Sequence, residues 1–301
     1  MKKCRKNRET EMNSPSEYAN SGSFPDRRFI FTITTGRSGT NFLAELFASN
    51  LGDAQVYHEQ RAHSDWGINC PDVSHLTTFN QLGSSSHLRA FWSQKLGRIR
   101  ALDVRYFAET SHTLAKAGLV ENLDLLRGAG VVHLIHLKRD IADTVISFTH
   151  RADFSTRGNM WLWYLDPGYP NALMNPEPFI GLGQIGFALW YVMEMRVRAE
   201  YYRLLLAGQA DVVLHEVDME QVTGAEGAAK LLADVGTTLM PAAVRMPGQV
   251  NANVGAGLET SVQQYIRDVV GSCTFDAAEV ARARFDQGYR LAPAAETHSA
   301  A

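Results

Sequence analysis

Three short stretches of this chain hold residue types able to handle an anion or move a proton. The first is Thr34-Thr35-Gly36-Arg37-Ser38-Gly39-Thr40, which closes a β-branched, aromatic run (Arg28–Thr35) and precedes Phe42, Leu43, Leu46 and Phe47 at helical spacing. That order is strand, glycine loop, helix. A helix N-terminus presents unpaired N–H groups and partial positive charge, so it attracts anionic oxygens. Gly36 and Gly39 let the backbone wrap an oxyanion, Ser38 and Thr40 add hydroxyl donors, and Arg37 adds a permanently charged planar fork. The second stretch is Lys138-Arg139-Asp140 at the end of VVHLIHLK, with Ser147 eight positions after Arg139. The third group comprises Glu59 in VYHEQ, with Glu109 and His112 in AETSH. Each is just past an expected strand and is suited to take a proton from a neutral hydroxyl.

Each feature has an ordinary structural reading. The loop alone is a tight turn with a solvated arginine, Arg139-Asp140 a helix start, Ser147 a helix-face serine, and Thr110-Ser111 caps near His112. A kinase-type phosphate loop does not fit. With Gly39 as its second glycine, Thr34 stands where the first belongs, Thr40 where lysine is needed, and Asn41 where a magnesium-holding Ser/Thr is needed.

The elements that must position these residues alternate. Strands are expected at Arg28–Thr35, Ala54–His58, Leu102–Ala108, Val131–Lys138 and Asp211–Val217. Helical patterns lie after residue 40, at Leu119–Leu126, from Asp140 (with Ile141, Val145, Ile146 and Phe148 as core) and at Gln184–Leu206. This predicts an α/β fold, a central mostly parallel sheet flanked by helices, with ligands bound beyond the carboxyl ends of the strands. His133 and His136 are read as packed strand residues. One domain is expected over 27–290, between a disordered leader (1–26) and tail (291–301), with insertions near 63–100 and 154–183.

Taken together, TTGRSGTNFL and the Arg139/Ser147 pair resemble the two nucleotide signatures of sulfotransferases dependent on 3′-phosphoadenosine-5′-phosphosulfate (PAPS). The acidic stretch VVLHEVDMEQV is a weaker echo. The resemblance implies a P-loop NTPase-like sulfotransferase fold. It also implies in-line transfer of a sulfuryl group from PAPS to an acceptor hydroxyl, with release of 3′-phosphoadenosine-5′-phosphate (PAP). Gly36, Arg37, Ser38, Gly39, Thr40 and Asn41 would hold the 5′-phosphosulfate, and Arg139 and Ser147 the 3′-phosphate. Arginine in the loop is closer to the bacterial and tyrosylprotein-type branch. Glu59, 22 positions after Arg37, matches that branch's catalytic glutamate, with Gln60 where proline often stands. His112 and Glu109 remain competing bases, since a histidine base serves the cytosolic branch. The family's late Arg-Lys-Gly loop is missing, and Asn251–Gly257 (NANVGAG) is the nearest candidate. Two alternatives stand beside this reading: a nucleotide-binding kinase or NTPase with a degenerate Walker A loop, and a non-catalytic PAP-binding protein.

The acceptor is open between small molecule, carbohydrate and peptide. Aromatics of Phe154–Phe179 can wall an apolar pocket or fill a satellite core. The acid-free run HLRAFWSQKLGRIR suits a polyanion or is a solvated helix face. A formal charge of −3 over 301 residues excludes bulk nucleic-acid binding. Cys4, Cys70 and Cys273 lack disulfide or zinc spacing, so no metal and a reducing, cytoplasmic location are expected. No apolar run reaches the roughly 18 residues of a membrane span.

Overall fold

The run RFIFTI becomes the middle strand of a sheet because its side chains alternate between two apolar faces. Phe29, Phe31 and Ile33 enter one core and Ile30 the other, all four fully buried. The computed structural model describes residues 26–59, 69–155, 162–248 and 257–292. Among them, β1 (Arg28–Ile33), β2 (Ala54–Tyr57), β3 (Tyr106–Glu109), β4 (Val131–Lys138) and β5 (Val212–Asp218) form one sheet in the order β2-β3-β1-β4-β5. Every neighbouring pair is parallel. The expected α/β architecture with a parallel sheet is what the chain adopts.

Helices cover both faces. On one side α1 (Thr40–Asn50) buries Phe42, Leu43, Leu46 and Phe47 against the apolar face of α8 (Ala225–Asp234), which follows the single turn α7 (Met219–Val222). On the other lie α2 (Val73–Leu82), α3 (Ser86–Ala101), α4 (Ile141–His150), the short α5 (Glu177–Ile180), α6 (Gly183–Leu205), α9 (Thr260–Ser272) and α10 (Ala277–Asp286). The long α6 is buried over most of its surface, as a helix enclosed by neighbours should be. Its buried Arg198 is paired to Glu194 at 2.8 Å and bonded to Asn80 and Asn171, so the charge lies in a satisfied network.

Several expectations change. The 63–100 stretch, expected to be polar and irregular, holds α2 and α3. Its Leu88, Trp92, Leu96 and Ile99 recur at helical spacing and are buried, while interleaved basic residues mask the pattern in sequence. The segment at Leu119–Leu126 is a 3₁₀ helix over Val120–Leu126. Strand β3 starts only at Tyr106, because Arg27 uses its guanidinium on the carbonyls of Ile99, Arg100, Leu102 and Val104, which tie down the end of α3. Leu291, placed in the loose tail, is buried and its carbonyl accepts from Asn171 at 3.2 Å. The expected leader lies outside the described residues up to residue 25, and so does the tail from residue 293. Residues 60–68, 156–161 and 249–256 fall outside them as well.

Candidate functional site

Strands β1 and β4 are neighbours, yet the chain leaves β1 toward β2 and leaves β4 toward β5. Connections that depart in opposite directions open a crevice at the carboxyl ends of the two strands. A cavity of about 760 Å³ lies there, lined by Gly36, Arg37, Gly39, Thr40 and Asn41 after β1 and by Arg139 after β4. Glu59, after β2, and His112, after β3, line the same cavity.

The loop after β1 is shaped for an anion. Gly36 and Arg37 are consecutive left-handed residues (φ 80° and 58°), and Gly39 has φ 93°. Left-handed residues alternating with right-handed ones turn successive backbone N–H groups toward one concavity, and Ser38, which is not left-handed, separates Arg37 from Gly39. No side chain caps α1 at Gly39, so the first N–H groups of that helix are open to a ligand. A Cβ at Gly39 would overlap Sδ of Met219, and one at Gly36 would press on the His112 ring at 3.2 Å. Both glycines therefore permit close approach as well as the backbone angle. Left-handed backbone at a long side chain such as Arg37 costs about 1 kcal/mol and is held only where its surroundings dictate it.

Arg37 is held from two sides. Its Nε donates to Oγ of Ser147 on α4 at 3.1 Å, and its carbonyl accepts from Nη1 of Arg139 at 3.4 Å. Arg196 on α6 in turn donates to the Arg139 carbonyl at 2.7 Å, fixing the end of β4. Arg139 and Ser147 also line an adjoining pocket of about 260 Å³ with His150, Gln263 and Arg267. Ser38 lies beneath the loop, fully buried, its hydroxyl sharing a hydrogen bond with Thr34. Burial first, then the nearby positive Arg151, pulls the Arg37 guanidinium below the ordinary arginine range. Arg37, Arg139 and Arg151 make this wall cationic.

The β2 and β3 ends of the cavity carry the titratable groups. Glu59 stands 3.6 Å from Nε2 of His112, an ion-pair distance, and sits in a left-handed turn at φ 47°. His58 beside it is bonded through Nδ1 to the Thr110 carbonyl at 3.0 Å, which ties the end of β2 to that of β3. Behind His112, Lys116 reaches Nδ1 at 2.7 Å, the Trp163 carbonyl at 2.6 Å and the Tyr191 hydroxyl at 2.8 Å. Tyr191 donates onward to the Thr35 carbonyl at 2.7 Å. Lys116 is fully buried, and burial drives its ammonium well below the usual lysine range. Trp163 and Tyr164 complete the cavity with an aromatic surface, Tyr164 packing on Phe148, Phe154 and Tyr191 at ring-centroid separations of 5.0–5.1 Å.

Other sequence candidates fall elsewhere. Glu109 closes β3 but does not line the cavity; it is fully buried against Lys95 at 2.6 Å, and burial raises its carboxyl above the usual range. Lys95 belongs to the run HLRAFWSQKLGRIR, whose Arg89 pairs with Asp124 and whose Arg100 donates to the Leu125 carbonyl. Most of that run's cations therefore serve structure. His133 and His136 are buried on the sheet, as expected. Of Asn251–Gly257, only Gly257 is described, and it lines the Arg139/Ser147 pocket. Among the described residues, one grouping (His136, Glu200 and Glu216) brings possible metal-ligand atoms within 4.8 Å of one another. None of the three lines the cavity, and both glutamates are engaged by Arg203, Glu216 by Lys138 as well.

Sequence reasoning missed Arg151 and Lys116, while Trp163 and Tyr164 are among the Phe154–Phe179 aromatics expected to wall a pocket and do line the cavity. Arg151 carries no motif and lines the cavity just after α4. Lys116 had one signal, a lone lysine in the apolar run TLAKAGLV, four positions after His112.

No protein-family model matches the chain, and no curated protein matches it in sequence. Among solved structures it is similar to a sulfotransferase domain from the curacin biosynthetic pathway, at 11% identity and a TM-score of 0.39, covering 90% of this chain and 100% of that one. Among the described residues no helix is long and apolar enough to cross a membrane.

Proposed function

We propose that this protein is a PAPS-dependent sulfotransferase that transfers a sulfuryl group to an acceptor hydroxyl and releases PAP. The observation that carries this reading is the joining of two anion-binding elements, Arg37 in the loop after β1 and the Arg139/Ser147 pair after β4, by direct hydrogen bonds. A ligand with phosphate groups at both ends of one nucleoside suits that arrangement. The 5′-phosphosulfate would take the open N–H groups of α1 and the Arg37 guanidinium. The 3′-phosphate would take Arg139 and Ser147, with the adjoining pocket as its surroundings.

In the reaction, the acceptor oxygen forms a bond to sulfur while the bond from sulfur to the bridging oxygen breaks, and the electron pair leaves with PAP. By analogy with phosphoryl transfer, such a step calls for positioning and charge stabilisation more than covalent help. Arg37 is suited to meet the negative charge that develops on the bridging oxygen. Glu59, which lines the same cavity, is suited to accept the acceptor's proton, and Trp163 and Tyr164 to hold an apolar acceptor body.

Calorimetric titration with PAP, and separately with ADP plus magnesium, tests this. Tight PAP binding with little response to magnesium-ADP supports the reading. Binding of magnesium-ADP alone overturns it.

A further inference from the structure

Lys116 touches no part of the cavity surface, yet three of its neighbours constrain a group that does. Its Nζ has three positions beyond the bond to carbon, and three partners occupy them. The Trp163 carbonyl can only accept. The Tyr191 hydroxyl has committed its own hydrogen to the Thr35 carbonyl, so its oxygen must accept too. Two N–H bonds of Lys116 are thereby assigned whatever its charge, and the third position faces Nδ1 of His112.

Two arrangements satisfy that contact while Glu59 is ionised. In one, an ammonium donates to a bare Nδ1, and the neutral ring carries its hydrogen on Nε2. In the other, that proton has crossed to Nδ1, leaving an amine against an imidazolium. They differ by the position of one proton along a 2.7 Å hydrogen bond, and both keep a hydrogen on Nε2. The remaining possibility, a neutral ring with only Nδ1 protonated, sets the bare Nε2 lone pair against the Glu59 carboxylate at 3.6 Å, two acceptors facing each other. The other groups around the pair are the Tyr164 and Tyr191 rings, each 5.1 Å from the Lys116 nitrogen, with Arg198 and Glu59 acting on its charge. The His112 ring packs tilted on Tyr164, with ring centroids 5.7 Å apart.

We infer that Lys116 is a positioning residue that keeps Nε2 of His112 protonated toward Glu59, so that His112 serves as a donor and the proton-accepting role falls to Glu59. This deepens the sulfotransferase reading and rests on it for the identity of the reaction, but the protonation pattern is a property of the free protein. Burial works in the same direction, because it disfavours an isolated charge on Lys116 and favours sharing that charge with the ring beside Glu59.

Nitrogen-15 NMR of the imidazole signals, assigned with His112→Gln, reads this directly in the wild-type protein. The expected result is Nε2 protonated at every pH from about 6 to 8, across the range where a free imidazole titrates. A ring protonated on Nδ1 alone overturns the inference without any variant. In Lys116→Met the ring should lose this constraint and show mixed tautomers. In that variant kcat should fall about a hundredfold, while PAP affinity stays within twofold. His112 signals unchanged from wild type in a folded Lys116→Met would also overturn it. If the wild-type protein fails to bind PAP while His112 shows the expected pattern, the reading of the reaction fails and the Lys116–His112 relationship stands.

Discussion

Arg37 and Ser147 are 110 positions apart in sequence and 3.1 Å apart in space, Nε donating to Oγ. The bond fixes the one side chain of the loop that carries both positive charge and a left-handed backbone. Ser147 is mostly buried, which holds its hydroxyl in place beside Arg37. Ser147→Ala removes the acceptor and leaves the Arg37 fork free to rotate. A hydrogen bond to a charged group contributes roughly 1.5–3 kcal/mol. PAP affinity measured by calorimetry should therefore fall by about tenfold or more, with the melting temperature little changed.

Arg139→Ala should separate the two ends of the nucleotide. A charge-assisted contact contributes roughly 1.5–3 kcal/mol, or about one to two decades in affinity. PAP binding should fall by that amount. Adenosine-5′-phosphosulfate, which lacks the 3′-phosphate, should bind the variant and the wild type alike. Equal losses for both ligands would assign Arg139 to the Arg37 carbonyl it already contacts, as scaffolding rather than a phosphate ligand.

Glu59→Gln keeps the shape of the side chain and removes its basicity. General-base removal typically costs about 10²–10⁴-fold. Turnover of PAPS with a working acceptor should drop within that range, while PAP affinity stays close to wild type. Retained turnover would pass the proton-accepting role to His112, since Glu109 is buried against Lys95 and away from the cavity.

The parts of this site visible in the sequence are those whose chemistry is local. RFIFTI and VVHLIHLK read as buried strands because β-branched and aromatic residues run unbroken, and GRSGT reads as an anion loop because its glycines and hydroxyls are adjacent. Asp140 also reads correctly as a helix start, its side chain accepting from the Asp143 N–H at 2.9 Å. What stayed hidden depends on burial. Lys95 looks like a surface cation within a basic run, yet it is a fully buried partner of Glu109. Lys116 is a lone lysine in an apolar run until the fold brings Trp163 and Tyr191 to it from 47 and 75 positions away. A charged residue in an apolar run has no sequence-level partner; only the tertiary fold supplies one.

Strand β4 also sets an acid limit on the fold. His136 is buried, and burial pushes its imidazole down to about 3, the positive neighbours Lys138, Arg196 and Arg203 adding to the effect against Glu216. The sign follows from proton uptake. Between pH about 6.5 and 3 the unfolded chain binds a proton on this residue and the folded chain does not. Stability from His136 is thus complete above the unfolded value and lost as pH falls toward 3. His133 contributes in the same direction, pushed down to about 4 by burial and then by His215, whose Nε2 lies 2.9 Å from its Nδ1. Each unit of displacement is worth about 1.4 kcal/mol, so between pH about 6.5 and 4 His136 alone should account for about 3.5 kcal/mol. Replacing it with leucine, similar in bulk and unable to titrate, should flatten the acid limb by about that amount. Urea unfolding at pH 7 and at pH 4 reads the difference. The variant should lose less stability than wild type between the two, and equal losses would mean that the imidazole takes up its proton without unfolding the sheet.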